Sequence, residues 1–414
     1  MFKLALFLIS QAVTWWPIYY MGWLRAGNHF GGDFPAFWDA AQKVGRGAFG
    51  EVYNHEFWAR QIATGSDSYI TWFVYPPPSL FGVQLFSGMT YAEAVAVWSL
   101  APLPFYIALL VLLARRPSGE RMPMGWKGEA TLAMMPLLFL HANLFTGQSG
   151  ALLAVLLLAA GYFWTTRPIV AGLFLGLLAV KPQLGLLIPF ALAASGQWRM
   201  FAAAAAAVSA MVAASLLWLG LEVWADYIQS TRLAGEYFAQ HSLYRLALAP
   251  YPSLVSIGAP VAGAMVAQVV ISLAVLASIV AAFGAKSGAK GASGARLDLS
   301  LAMLATGALL ATPYAMTYDT PLLALALLPL FGRAWRGEGG VWERWTIVAL
   351  VLIPFGQQVV GRWVPYGFMA LILTHVVLAR ALLRATQDHA TGRAARRMPT
   401  LCSPEATQKR VEST

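Results

Sequence analysis

At 414 residues the chain is long enough for roughly a dozen helices of about 20 residues each, and 59% of it is hydrophobic against 11% charged, with a mean hydropathy of +0.62. One water-soluble core cannot hide that much apolar surface, so the composition excludes an ordinary soluble domain and indicates a polytopic membrane protein. The net charge of +10 does not point to nucleic acid, because the cations fall in short clusters between apolar runs: Arg115, Arg116, Arg121 and Lys127, then Lys286, Lys290 and Arg296, then Arg333, Arg336 and Arg344, then Arg384, Arg393, Arg396 and Arg397. The positive-inside rule explains that pattern, and a basic stripe interleaved with aromatics on a soluble face is missing. A single cysteine, Cys402, excludes an intramolecular disulfide and a thiolate metal cluster.

In chain order, Leu4 to Leu24 carries Trp15, Trp16, Tyr19 and Tyr20 and no small-residue cleavage site, so it reads as a retained membrane helix. Asp33 follows in Gly31-Gly32-Asp33-Phe34-Pro35, a carboxylate at the membrane-water boundary where a lipid-borne substrate can reach it. It also stands where an N-cap belongs, with Pro35 in the first turn. From there Phe37, Trp38, Ala41 and Val44 alternate with Asp39, Gln42, Lys43 and Arg46, the stripe of a helix expected to lie along the membrane surface. A second such helix is expected near His55 to Thr64. Tyr75-Pro76-Pro77-Pro78 predicts an extended approach to a partly inserted interfacial helix ending at Met89.

Further membrane helices are expected near 91–114, 129–146, 149–166, 168–180, 182–196, 199–220, 259–283, 298–315, 319–333, 345–360 and 364–383. The pair 168–180 and 182–196 is short for two crossings and is expected to break at Lys181-Pro182, where proline removes a backbone donor. The predicted fold class is an all-α polytopic membrane protein of about 12 transmembrane helices, with amphipathic helices in the first outer loop and both termini inside. Residues 386–414 read as a basic, disordered cytoplasmic tail.

This map places several polar features on the outer side. Lys181, between two apolar helices, either snorkels or pairs with an anion such as a lipid phosphate. Gln148 either bonds a sugar hydroxyl or phosphate or caps a tight turn, and Gln183 poses the same choice more weakly. His241 and Arg245, in an outer loop over 221–258, either close over a donor or belong to a solvated loop, while Tyr318 and Asp319 either bind sugar or start a helix. No phosphate-binding glycine loop, dinucleotide fingerprint or Asp-x-Asp pair is present, which argues against a nucleotide-sugar donor. Asp33, Asp39, Glu51 and Glu56 are the acids available to gather a divalent ion.

Asp33 after the first helix, Tyr75-Pro76-Pro77-Pro78, Thr146-Gly147-Gln148-Ser149, Ala171-Gly172-Leu173-Phe174-Leu175-Gly176, Val180-Lys181-Pro182-Gln183 and Gln197-Trp198-Arg199 together resemble glycosyltransferase family 87 over about residues 30–385. The resemblance implies a GT-C-like catalytic domain over 1–385, with 31–75 as its outer catalytic loop. It also implies a hexose, mannose-like, carried on a polyprenyl phosphate and passed with inversion to a lipid or glycan acceptor, without metal or cofactor. Asp33 is then the general base; the chemistry of the residues themselves makes Tyr75, Gln148, Lys181, Gln183, His241, Arg245, Tyr318 and Asp319 the expected donor and substrate site, and the charge map puts that site on the extracytoplasmic side of a plasma membrane (a bacterial inner membrane). One departure is visible: where some members carry a histidine-bearing Ser-Pro motif, this chain reads Thr312-Pro313-Tyr314-Ala315-Met316-Thr317-Tyr318-Asp319, so no histidine role transfers there. A lipid-linked-sugar flippase or other transporter is the alternative from another class. A polysaccharide polymerase or ligase is closer in chemistry, but those usually need an arginine-rich outer loop, and 221–258 offers only Arg232 and Arg245.

Overall fold

The computed structural model describes residues 32–54, 56, 72–115, 125–240, 246–284, 294–361 and 363–390. Over these residues the chain is all-α, and its only β feature is an isolated bridge between Ala247 and Met316. Five helices are long and apolar enough to cross a membrane, Tyr91–Ala114, Trp198–Leu219, Val261–Gly284, Gly294–Ala311 and Tyr366–Gln387, each near an expected position. This is an integral membrane protein. About 12 full crossings are not shown, because several apolar runs are divided where proline removes a backbone donor. Residues 129–146 split into Gly125–Met134 and Leu137–Thr146 on either side of Pro136, and 345–360 splits into Val341–Val351 and Ile353–Val360 ahead of Pro354.

The expected break at Lys181 is present. Pro168–Leu177 tightens into a 3-10 turn over Leu178–Val180, Lys181 adopts φ −138° and ψ 74°, and a second 3-10 turn, Pro182–Gly185, leads to the Ile188–Ala194 helix. The residue ahead of proline is driven out of the helical region, so the chain turns at the lysine. Pro168–Leu177 lies tightly against Trp198–Leu219: a Cβ at Gly172 would fall 2.3 Å from the Met200 carbonyl oxygen, and one at Gly176 2.7 Å from that of Ala204. Small residues one turn apart let two membrane helices approach at backbone distance.

Three expectations are corrected. The apolar stripe of the Phe34–Gly45 helix does not face lipid; Phe34, Phe37, Ala40, Ala41 and Val44 are buried in an aromatic core with Phe73, Tyr75, Phe86 and, at its edge, Trp98. Half-buried Trp38 anchors the same helix by donating Nε1–H to the Met89 carbonyl at 3.1 Å. An amphipathic stripe reports only that one face is buried, and here protein supplies the cover. The stretch Pro76 to Met89 is no single interfacial helix but three short turns, Pro77–Ser79, Leu80–Val83 and Gln84–Phe86. Most of 221–258 is helical and not a loop: Leu221–Gln240 continues after Gly220, and Pro250–Ser256 follows. The expected helices over Leu4–Leu24 and His55–Thr64 lie outside the described residues, as do residues 391–414, while 386–390 extend the last helix to Ala390.

Candidate active site

Four separate segments meet around one short turn. The Leu137–Thr146 helix ends at Gly147, whose φ of +63° is the left-handed conformation that terminates helices with glycine, and Gln148, Ser149 and Gly150 follow at once. Asn143 holds this turn by donating Nδ2–H to the Gln148 carbonyl at 2.8 Å and to the Tyr318 carbonyl at 3.3 Å. Gly150 completes the junction, since a Cβ there would sit 1.9 Å from the Tyr318 carbonyl oxygen. From the other side Gly32, at φ +48°, brings the start of the Phe34–Gly45 helix down so that Asp33 donates its backbone N–H to the Thr146 carbonyl at 2.6 Å.

The side chains carried by these segments form one polar cluster. Gln148 Nε2 donates to Asp33 Oδ2 at 2.7 Å, Tyr75 Oη donates to Gln148 Oε1 at 2.5 Å, and the Tyr75 hydroxyl also lies 3.0 Å from Ser149 Oγ. Beside them Lys181 Nζ pairs with Asp319 Oδ1 at 2.5 Å, with the two side chains only 3% and 0% exposed. Asp319 Oδ2 accepts the Met316 backbone N–H at 3.1 Å, and Lys181 Nζ lies 4.7 Å from the centre of the Tyr318 ring and 6.0 Å from that of Tyr75. An ammonium in apolar surroundings is tolerated when a carboxylate and aromatic faces share its charge.

Sequence alternatives are resolved at several positions. Asp33 occupies the N-cap position but makes no capping bond, so its carboxylate is turned into the cluster. Lys181 neither snorkels nor stands free; it is paired with Asp319. Gln148 does not cap its turn with its side chain, which reaches from Tyr75 to Asp33. Gln183 is half-buried on the adjoining 3-10 turn and joins none of these contacts. His241 and Arg245 lie outside the described residues. Of the acids considered for a divalent ion, Asp39 pairs with Lys43 at 2.7 Å and Glu51 with Arg46 at 3.2 Å. Ser149 entered the sequence reading only as part of the Thr146-Gly147-Gln148-Ser149 motif and Asn143 and Gly150 were given no role; the legible signal was Asn143, an amide within the largely apolar run Leu137 to Phe145.

Burial pushes the half-exposed Asp33 carboxyl above its ordinary value, and the Gln148 hydrogen bond and the positive charge of Lys181 pull it part of the way back. Burial likewise holds the Tyr75 phenol well above its usual value, so Tyr75 stays a neutral donor. The arrangement joins a half-buried carboxylate of raised basicity to a fixed, buried cation that acts on it through space.

Fold and site together define an integral membrane protein with an acid, amide and cation cluster built where its helices are interrupted. The pattern of glycosyltransferase family 87 matches residues 73–313, and the chain belongs to that family. Comparison with curated proteins and with solved structures gives no match. The matched range is narrower than the 30–385 of the sequence resemblance; it contains Tyr75, Gln148, Lys181 and Gln183, while Asp33, Tyr318 and Asp319 reach the cluster from outside it.

Proposed function

We propose that this membrane glycosyltransferase transfers a hexose, mannose-like, from a polyprenyl-phosphate donor to a lipid or glycan acceptor at the extracytoplasmic face, with Asp33 as general base. The observation that carries the reading is the Asp33 carboxylate, released from capping, oriented by Gln148 and raised in basicity by burial. In the step, the acceptor O–H bond breaks and its proton goes to Asp33. The acceptor oxygen bonds to the anomeric carbon as the carbon–oxygen bond to phosphate breaks on the opposite side, its electron pair leaving with the phosphate. Inversion follows from that geometry. Lys181, buried in its pair with Asp319, opposes the growing phosphate charge through space and not by direct contact with the donor. Tyr318 offers an aromatic face beside it.

The experiment is transfer by the purified protein in nanodiscs from radiolabelled polyprenyl-phosphate mannose, with products identified by mass spectrometry. Asp33→Asn keeps the shape and removes the basic oxygen, so transfer is expected to fall by about 10²-fold or more with the protein folded. A folded Asp33→Asn protein that transfers at near wild-type rate removes Asp33 from the mechanism. Translocation of the lipid without transfer supports a flippase instead.

A further inference from the structure

We infer that Ser149, Tyr75 and Gln148 form a one-way chain of hydrogen bonds that holds Asp33 Oδ2 and leaves Oδ1 to take the acceptor proton, which makes them positioning residues and not ligands of the sugar donor. The inference rests on the reading of Asp33 as the base and assigns work to three side chains around it.

Proton counting fixes the direction. A phenol has one proton, and an amide oxygen only accepts, so the 2.5 Å contact from Tyr75 to Gln148 Oε1 commits that proton. Ser149 Oγ, 3.0 Å from the same phenolic oxygen, is then left to donate to it. With Oε1 facing Tyr75, the amide nitrogen of Gln148 faces Asp33, and a carboxylate is the acceptor it requires. Each donor points toward Asp33. The opposite amide orientation would set Oε1 against the carboxylate, two acceptors with no proton between them.

The chain is also clamped along its length. The Gln148 carbonyl is held by Asn143, its backbone N–H donates to the Asn143 carbonyl at 3.2 Å, and the Tyr75 carbonyl accepts the Tyr53 hydroxyl at 2.7 Å. Tyr75, Gln148 and Ser149 are all buried, so a sugar cannot displace these contacts without opening the core. Asp33 alone is half-exposed, and its Oδ1 has no hydrogen-bond partner among the described residues. Among the described residues Lys181 is the charged group that acts on it, and Tyr75 and Tyr318 are titratable groups that feel its charge. Among the described residues the cation acting on it is Lys181, which already pairs with Asp319, so Gln148 is the direct side-chain donor to the base.

The test needs no donor or acceptor. The full-length protein in nanodiscs is titrated while its carboxyl infrared bands are followed, with Asp33 identified by the band lost in Asp33→Asn. Gln148→Leu is expected to raise the Asp33 midpoint by about one pH unit. Tyr75→Phe should raise it less and Ser149→Ala least. Tyr366→Phe, which removes a tyrosine hydroxyl bonded to the Ala349 carbonyl and away from the chain and its clamps, should leave the midpoint in place. In the transfer assay the three chain variants should lower kcat more than they raise KM. An unmoved midpoint in folded Gln148→Leu and Ser149→Ala proteins, with KM raised and kcat kept, overturns the assignment and makes these residues substrate ligands; this pair decides even where Tyr75→Phe does not fold. A folded Asp33→Asn protein that transfers normally removes the base reading, and with it the proton's destination, whereas the midpoint shifts report the chain itself.

Discussion

As the proposed general base, Asp33 would have to be ionised where burial disfavours charge, and that conflict has two measurable consequences. Transfer should rise with pH through a midpoint above the ordinary aspartate value, because the basic form appears only as the carboxyl loses its proton. A pH profile of kcat/KM tests this, and an acidic limb at or below the ordinary value contradicts it. The second consequence concerns stability. With the folded midpoint raised above the unfolded one, the folded state holds the proton more tightly, so this group's contribution is present at low pH and is lost as pH rises through the folded midpoint. Asp33→Asn should therefore unfold at the same or a higher temperature than the wild type near neutral pH while transferring far more slowly. A clear drop in unfolding temperature would mean that the carboxylate stabilises the fold.

At the scale of elements, the interrupted helices make the site. Lys181 reaches the cluster because Pro182 stops the helix there, and Asp319 reaches it from the 3-10 turn Thr317–Leu323. Lys181→Met leaves a buried carboxylate unpaired and should destabilise the protein by about 3–5 kcal/mol. Adding Asp319→Asn should restore much of that loss, since the amide oxygen can still accept the Met316 N–H. Thermal unfolding of the single and double variants checks this, and no recovery in the double variant would show that the pair is not the source. A double variant that is stable yet binds polyprenyl phosphate as the wild type does would confine Lys181 to structure. The break was legible because Lys-Pro inside an apolar run has few structural solutions, and the five long helices were legible because stretches of 18 or more residues that are apolar on average and nearly uncharged declare themselves. The partner of Lys181 was not, because Asp319 is distant in sequence and read equally well as a helix start. Nor was the cover of the Phe34–Gly45 stripe, since amphipathic spacing does not distinguish lipid from an aromatic core. Gly150 was silent as well: its role appears only when the Tyr318 carbonyl lies against it.

For the whole molecule, the polar features that the charge map assigned to one side do converge. Asp33, Tyr75, Gln148, Ser149, Lys181, Tyr318 and Asp319 meet in the cluster, while Gln183 does not join it, and the described parts of 221–258 bond nearby segments, Ser230 accepting from Trp72 at 2.8 Å and the Leu248 N–H donating to the Ala315 carbonyl at 2.8 Å. If that side is extracytoplasmic, the segment around residue 290 faces the cytoplasm. In a Cys402→Ser background, a cysteine at 290 should be labelled by an impermeant reagent only after the membrane is opened, and one at 226 should be labelled in intact cells. Labelling of 290 from outside would invert the arrangement.

The Lys181–Asp319 pair also sets an order for biogenesis. Membrane segments leave the ribosome from the N-terminus, so Lys181 enters the bilayer region before its carboxylate partner has been synthesised. Until the segment after Ala311 arrives, the ammonium of Lys181 has no carboxylate partner and is costly in an apolar environment, so water, translocon or lipid headgroups have to solvate it. Arrival of Asp319 then closes the pair and, through Asn143 and Gly150, seats the Tyr318 segment against the turn that carries Gln148. A chain that stops short of residue 318 therefore lacks the bond from Asn143 to the Tyr318 carbonyl and carries Lys181 without its carboxylate.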